Sequence, residues 1–136
     1  MRTVDTVALM GRDQLDVSGY HEPAPLLALL RDANQHRAER NIGGCAWLFQ
    51  LGGGPDDPCL ALGVRGEVGA LVWYARPGRF VPVNGLNENY VDYWTWFGHE
   101  SPMRPHAELP IDQVYAALEE LIRTHQRPTC VAWVAA

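Results

Sequence analysis

The side chains best suited to proton transfer fall in one short stretch. His99-Glu100, and His106 with Glu108, supply imidazole and carboxylate groups, the material of general acid–base chemistry. They flank a proline-broken segment, and loops carry function more often than cores do. Neighbours in sequence need not face one another, so a solvated polar loop is the simpler reading. Covalent catalysis has less to draw on. Ser18 and Ser101 are the only serines, and neither stands in a G-x-S-x-G turn. Cys130 falls in an apolar stretch, which disfavours a thiolate. All 11 basic residues are arginine, which excludes a phosphate-binding P-loop lysine, a Schiff-base lysine and a lysine general base. Gly52-Gly53-Gly54 is followed by Pro55-Asp56-Asp57, whose carboxylates repel phosphate, so it reads as a turn. Cys45, Cys59 and Cys130 are odd in number, form no C-x-x-C pair and read as buried small hydrophobes in a reducing compartment. The histidines show no metal-ligand spacing. No catalytic residue, metal or cofactor is assigned.

The chain has 136 residues, of which 47% are hydrophobic, enough for one domain over 1–136 with its own core. The formal charge of −5 argues against direct nucleic-acid binding, which needs clustered positive charge, and suits a basic partner. The acids are uneven. Glu88, Asp92, Glu100, Glu108, Asp112, Glu119 and Glu120 share the C-terminal part with only Arg104, Arg123 and Arg127. The N-terminus has no apolar run of signal-peptide length, and no stretch approaches the roughly 20 apolar residues of a membrane span. A cytoplasmic protein without membrane association is expected.

The positioning elements follow from periodicity. Residues 4–10 alternate as a strand, Gly11-Arg12-Asp13 is a turn, and 15–20 could return as the second strand of a hairpin. Pro23 and Pro25 suit a helix start. Leu26, Leu27, Leu29, Leu30 and Ala33 carry the helical spacing, and Gly43-Gly44 is the expected stop. Residues 45–51, 59–64 and 68–74 read as strands, the last two joined by a hairpin at Arg65-Gly66-Glu67. Residues 76–87 are expected to be irregular, with a short edge strand at Phe80-Val81. Residues 90–97 (YVDYWTWF) have high strand propensity, and 98–108 is a loop. A second helix begins at Pro110-Ile111-Asp112, carries the stripe Ile111, Val114, Leu118, Leu121, Ile122, pairs Glu119 with Arg123 and stops at Pro128. Residues 129–134 form a last strand. The order ββ-α-ββββ-α-β implies an α+β domain, a mainly antiparallel sheet with two main helices packed on one face.

An extended 90–97 would place Tyr90, Asp92, Trp94 and Trp96 on one face and Val91, Tyr93, Thr95 and Phe97 on the other. Packing on both faces is the favoured reading; an interface is the alternative, since Tyr and Trp are enriched at binding hot spots.

The C-terminal residues carry a resemblance. Leu109-Pro110-Ile111-Asp112, Ala116-Ala117-Leu118, Leu121 and Thr124-His125-Gln126-Arg127-Pro128-Thr129-Cys130-Val131-Ala132-Trp133 resemble the closing signature of the first-numbered family of bacterial polymorphic-toxin immunity proteins, a helix followed by T-G-x-R-P-T-x-V-x-W. Gly69-Ala70-Leu71-Val72-Trp73 and Tyr90-Val91-Asp92-Tyr93-Trp94 are similar to that family's strand pair. Arg127, Pro128, Thr129, Val131 and Trp133 form a structural signature: Arg127-Pro128 turns the chain from helix to strand, and Val131 and Trp133 share a face. His125 stands where the family has glycine. The resemblance implies a cytoplasmic antitoxin that binds a cognate toxin domain and blocks its active site, some relatives pairing with nucleic-acid deaminases. Acidity and aromatic content then nominate Glu88, Asp92, Trp94, Trp96, Glu100 and Glu108 as toxin contacts. Two other readings stay open: a small enzyme using His99, Glu100 or His106 in a sheet-lined pocket, and a homodimeric module burying the aromatic strand. The oligomeric state, monomer or weak homodimer, is open as well.

Overall fold

The computed structural model describes residues 13–136. The expected strand at 4–10 and most of its turn lie outside them. Three antiparallel strands make the centre of the sheet: β2 (Gly44–Gln50), β3 (Cys59–Arg65) and β4 (Val68–Tyr74). Two short strands share each flank. On β2, β1 (Gln14–Asp16) pairs parallel with Leu48, Phe49 and Gln50, and β6 (Tyr93–Trp94) pairs parallel with Gly44 and Cys45. On β4, β7 (Glu108–Pro110) takes Val68, Gly69 and Ala70, while β5 (Arg79–Pro82) takes Trp73 and Tyr74, both antiparallel. β8 (Trp133–Ala135) then pairs with β5. The fold is α+β, as the element pattern implies.

Both helices, α1 (Pro23–Glu39) and α2 (Ile111–Thr124), pack on one face and on each other. The two-residue side-chain period explains which residues meet them. Trp47, Phe49, Leu60, Leu62, Leu71 and Trp73 point into the core shared with Leu26, Leu30, Leu118 and Leu121. The intervening positions on the central strands, Ala46, Ala61, Ala70 and Val72, face the opposite side with Tyr93, Met103 and Ala107. That second face is small-residued, so a chain segment can lie close against it. Gly63 shows why: a Cβ there would stand 2.5 Å from the Tyr93 ring.

The local stops differ from the expected ones in an instructive way. α1 ends at Glu39 and is closed by Asn41, two residues on, which takes the left-handed conformation at φ 52, with the Ile42 amide donating to the Arg37 carbonyl over 2.9 Å. Gly43 and Gly44 are not the helix stop. They leave room for Trp94 and Tyr93. Residues 15–20 continue only to Asp16 as a strand, and that strand pairs parallel with β2. The 90–97 segment shortens to the two residues of β6. β5 is an inner strand, covered by β8, and not an edge. The β3–β4 hairpin turns at Gly66 (φ 73), clamped by Asn34 of α1, whose side chain accepts from the Gly66 amide at 2.8 Å and donates to its carbonyl at 2.9 Å.

α2 ends at His125 (φ 55, ψ 33), well before Pro128. Its ring Nε2 lies 2.7 Å from the Tyr20 carbonyl and donates to it, a tie that a glycine could not make. The Glu119–Arg123 pair forms at 3.1 Å. Beyond the helix each signature residue has a local task. The Arg127 guanidinium stacks 5.2 Å over Phe80. The Pro128 carbonyl accepts from Trp133 Nε1 at 2.8 Å. Val131 is buried in the helix-side core, against which Trp133 also packs. Thr129 donates to Glu120 from its amide (2.5 Å) and hydroxyl (2.8 Å), joined by the Cys130 amide (3.0 Å). The final strand is confined to 133–135, so Cys130 is exposed and not buried; Cys59 is half-buried and Cys45 is buried. Burial pushes the Cys45 thiol up to about 11, and partial desolvation together with Glu120 raises that of Cys130.

Two predictions follow from this packing. Gly63→Ala forces a methyl into the Tyr93 ring and is expected to cost about 1–3 kcal/mol by urea denaturation; a loss below 0.5 kcal/mol contradicts the close fit. Desolvation opposes the Glu120 charge, but the three donors outweigh it and hold its carboxyl below the usual range. A lowered carboxylate pKa stabilises the fold above the unfolded value of 4.5 and loses that contribution as pH falls through the folded value. Glu120→Gln should therefore lower Tm at pH 7 and differ less from the parent at pH 3; an equal gap at both pH values argues against it.

Candidate functional site

The second face of the sheet is covered by a single excursion of the chain between β5 and β7, residues 83–107. Its anchor is Tyr93, fully buried over Gly44 and Gly63. The phenol donates to Glu108 Oε2 at 2.7 Å. Glu108 in turn receives Arg65 at both oxygens, Nε at 2.9 Å and Nη2 at 3.0 Å. Hydrogen bonding to Glu108 raises the Arg65 pKa despite desolvation, and burial followed by the Glu108 carboxylate raises that of Tyr93. The phenol thus stays a donor. Glu108, expected on the contact surface, is only 3% exposed. Its charge is neutralised inside the fold, so it leaves the contact set and becomes the pin that fastens the excursion.

The rest of the excursion is organised by its own backbone. Asn87 accepts from the Glu108 amide (2.8 Å) and donates to the Arg104 carbonyl (2.8 Å). Val91 and Met103 exchange amide bonds at 3.0 and 2.9 Å, and the Ser101 amide donates to the Tyr93 carbonyl at 2.8 Å. The two limbs meet in a tight turn. The Thr95 amide donates to the His99 carbonyl (2.8 Å), the Gly98 amide to the Thr95 carbonyl (2.9 Å), and the His99 amide to Thr95 Oγ1 (3.1 Å). Gly98 has φ 91, which a side chain would oppose.

This geometry sorts the candidate residues. Glu88, Asp92 and Glu100 are exposed. Trp94 is half-buried over Gly43, and Trp96 is half-buried with its ring 5.9 Å from His36 of α1. The two tryptophans therefore serve packing and surface at once. The aromatic segment does not present two flat faces, because only Tyr93 and Trp94 stay in the sheet. Phe97, assigned by alternation to the face of Tyr93, is instead 70% exposed at the turn. A sequence signal for it existed in Gly98, which marks a turn as readily as the start of a loop.

A cleft of about 580 Å³ opens beside that turn. Ala46, Ala61 and Met103 form its apolar floor, and Asp13, Asp57 and Glu100 stand at its walls with Arg76. Arg76 also pairs with Asp56 at 3.0 Å, an ion pair between two exposed side chains. His99 and Ser101 line it too, but among the described residues no hydrogen bond joins His99 to Ser101 or Glu100. His106 lines a different groove, near Val83 and Val134, with its Nδ1 3.5 Å from the Gly85 carbonyl. The acid–base residues thus divide between two sites. Among the described residues no cluster of His, Cys, Asp and Glu could hold a metal ion, and no helix is long and apolar enough to cross a membrane.

Removing the pin tests the assignment of Glu108. Tyr93→Phe is expected to cost about 1–2 kcal/mol, leaving one buried acceptor short of a donor. Glu108→Leu is expected to cost about 2–3 kcal/mol, less than for a fully buried pair because the Arg65 side chain is 43% exposed. Unchanged urea midpoints in both variants would show that the excursion is fastened elsewhere.

The family described as "Immunity protein Imm1" matches residues 13–135. Comparison with curated proteins gives no match.

Proposed function

Because the chain belongs to the Imm1 family of immunity proteins, we propose that it acts in the cytoplasm as a non-enzymatic inhibitor that binds a cognate toxin protein and covers its active site. The family match across nearly all of the described residues carries this reading. Charge supports it: a chain of net charge −5 is suited to a basic partner, and a toxin that acts on nucleic acid needs a basic cleft. A nucleic-acid deaminase is the toxin class this reading favours. The contact set is Glu88, Asp92, Trp94, Trp96 and Glu100. The three carboxylates steer association, and the tryptophans supply apolar area at the surface that the excursion builds.

The first test is neutralisation of the toxin domain encoded beside this gene. Co-expression is expected to restore growth, and cells that die as fast with the protein as without it would overturn the reading. Reversing Glu88 and Asp92 together to Lys is expected to lower affinity for that domain roughly tenfold, mainly through a slower association rate. The association rate of the parent should fall as salt rises, and that of the reversed variant should fall less. Identical salt dependence in both argues that these carboxylates do not face the toxin.

A further inference from the structure

We propose that the turn at 95–99 is the docking anchor for the toxin: Phe97 enters an apolar recess of the partner, and the cleft beside it receives a basic side chain from a toxin loop. This rests on the immunity reading and specifies which surface performs it.

Three observations converge on the turn. Phe97 has the highest exposure of the large hydrophobic side chains among the described residues, at 70%. A lone exposed aromatic needs no explanation, but this one sits in a turn closed by three hydrogen bonds, on a limb pinned through Tyr93 to Glu108 and Arg65. Its backbone is set before any partner arrives, so little ordering entropy remains to be lost on binding. The residue before it is a half-buried tryptophan, Trp96, whose ring lies 5.9 Å from His36 of α1. Aromatic side chains, Tyr and Trp above all, are enriched among the residues that carry most of an interface's binding energy.

The cleft supplies the polar half. Its floor of alanines and Met103 accepts an aliphatic stem, and Asp13, Asp57 and Glu100 can meet a charged head. Among the described residues Arg76 is the guanidinium that lines it, and it is paired with Asp56. Its volume of about 580 Å³ lies within the range of sites that hold a ligand of drug size, ample for one arginine or lysine side chain. Charge selects the occupant: the acidic wall rejects an acidic loop and attracts a basic one.

The test uses the full chain and the toxin domain encoded beside its gene, with affinity read by calorimetry. Phe97→Ala is expected to weaken binding roughly thirtyfold with little loss of Tm, since the residue is 70% exposed. Glu100→Arg is expected to weaken it at least tenfold, and provides a second reading should the Phe97 variant fold poorly. Asp32→Arg, on the exposed side of α1, is expected to bind within twofold of the parent. If the parent binds and neutralises the toxin while both turn variants match it, the anchor lies elsewhere and the immunity reading survives. If the parent itself fails to bind, the immunity reading falls first. A loss at Asp32→Arg equal to that at the turn would move the interface to the helix face and overturn the proposal.

Discussion

The hydrogen bond from the Tyr93 phenol to a carboxylate already held by Arg65 governs the far side of this molecule. An acid inside a sheet-and-loop interface is costly unless its charge is matched and its oxygens are occupied. Glu108 meets both conditions, but only when β3, β6 and β7 are all in place. Arg65 comes from the end of β3, Glu108 from the start of β7, and Tyr93 from the strand that adds to β2. One buried charge therefore reports on three elements at once. The glycines at 44 and 63 make the arrangement sterically possible, because the ring lies where their side chains would be.

The consequence is a division of labour between the faces. The helix side holds the larger core and carries the two amphipathic helices. The other side is thinner, built on alanines and glycines, and covered by a segment with little regular structure. Such a cover gains modestly from burial, so its shape depends on directed bonds: the Asn87 bridge, the Val91–Met103 pair and the Thr95–His99 turn. A surface specified by hydrogen bonds holds its outline with few apolar contacts.

Much of this was legible in the sequence, and the misses share a cause. The central strands, the helix stripes and the Glu119–Arg123 pair followed from periodicities of 2 and 3.6, which depend only on local geometry. Gly43-Gly44 misleads as a stop signal because glycine answers two different needs, a left-handed turn or an absent Cβ; Asn41 takes the first and the glycines serve the second. Residues 90–97 had the propensity of a strand, but tertiary packing used only two of them. Glu108 read as a surface acid because nothing local announces a partner 43 positions earlier in the chain. Of the contact candidates, the exposed acids and the tryptophans could be nominated from composition, whereas the exposure of Phe97 arises from a turn whose closure depends on Thr95 and Gly98 together.

The shared flanks of the sheet have one further effect. Two short strands lie end to end along β2, and two more along β4, so no flanking partner of either is longer than four residues. β8, beyond β5, runs for only three residues. A long bare rim of amides and carbonyls is a template on which another copy can add, and among the described residues this rim is broken into short pieces. An antitoxin protects only while it outnumbers its target, and a chain kept in standing surplus is under pressure to avoid self-adhesion. Among the described residues, the rim of this sheet gives a second copy little length on which to add.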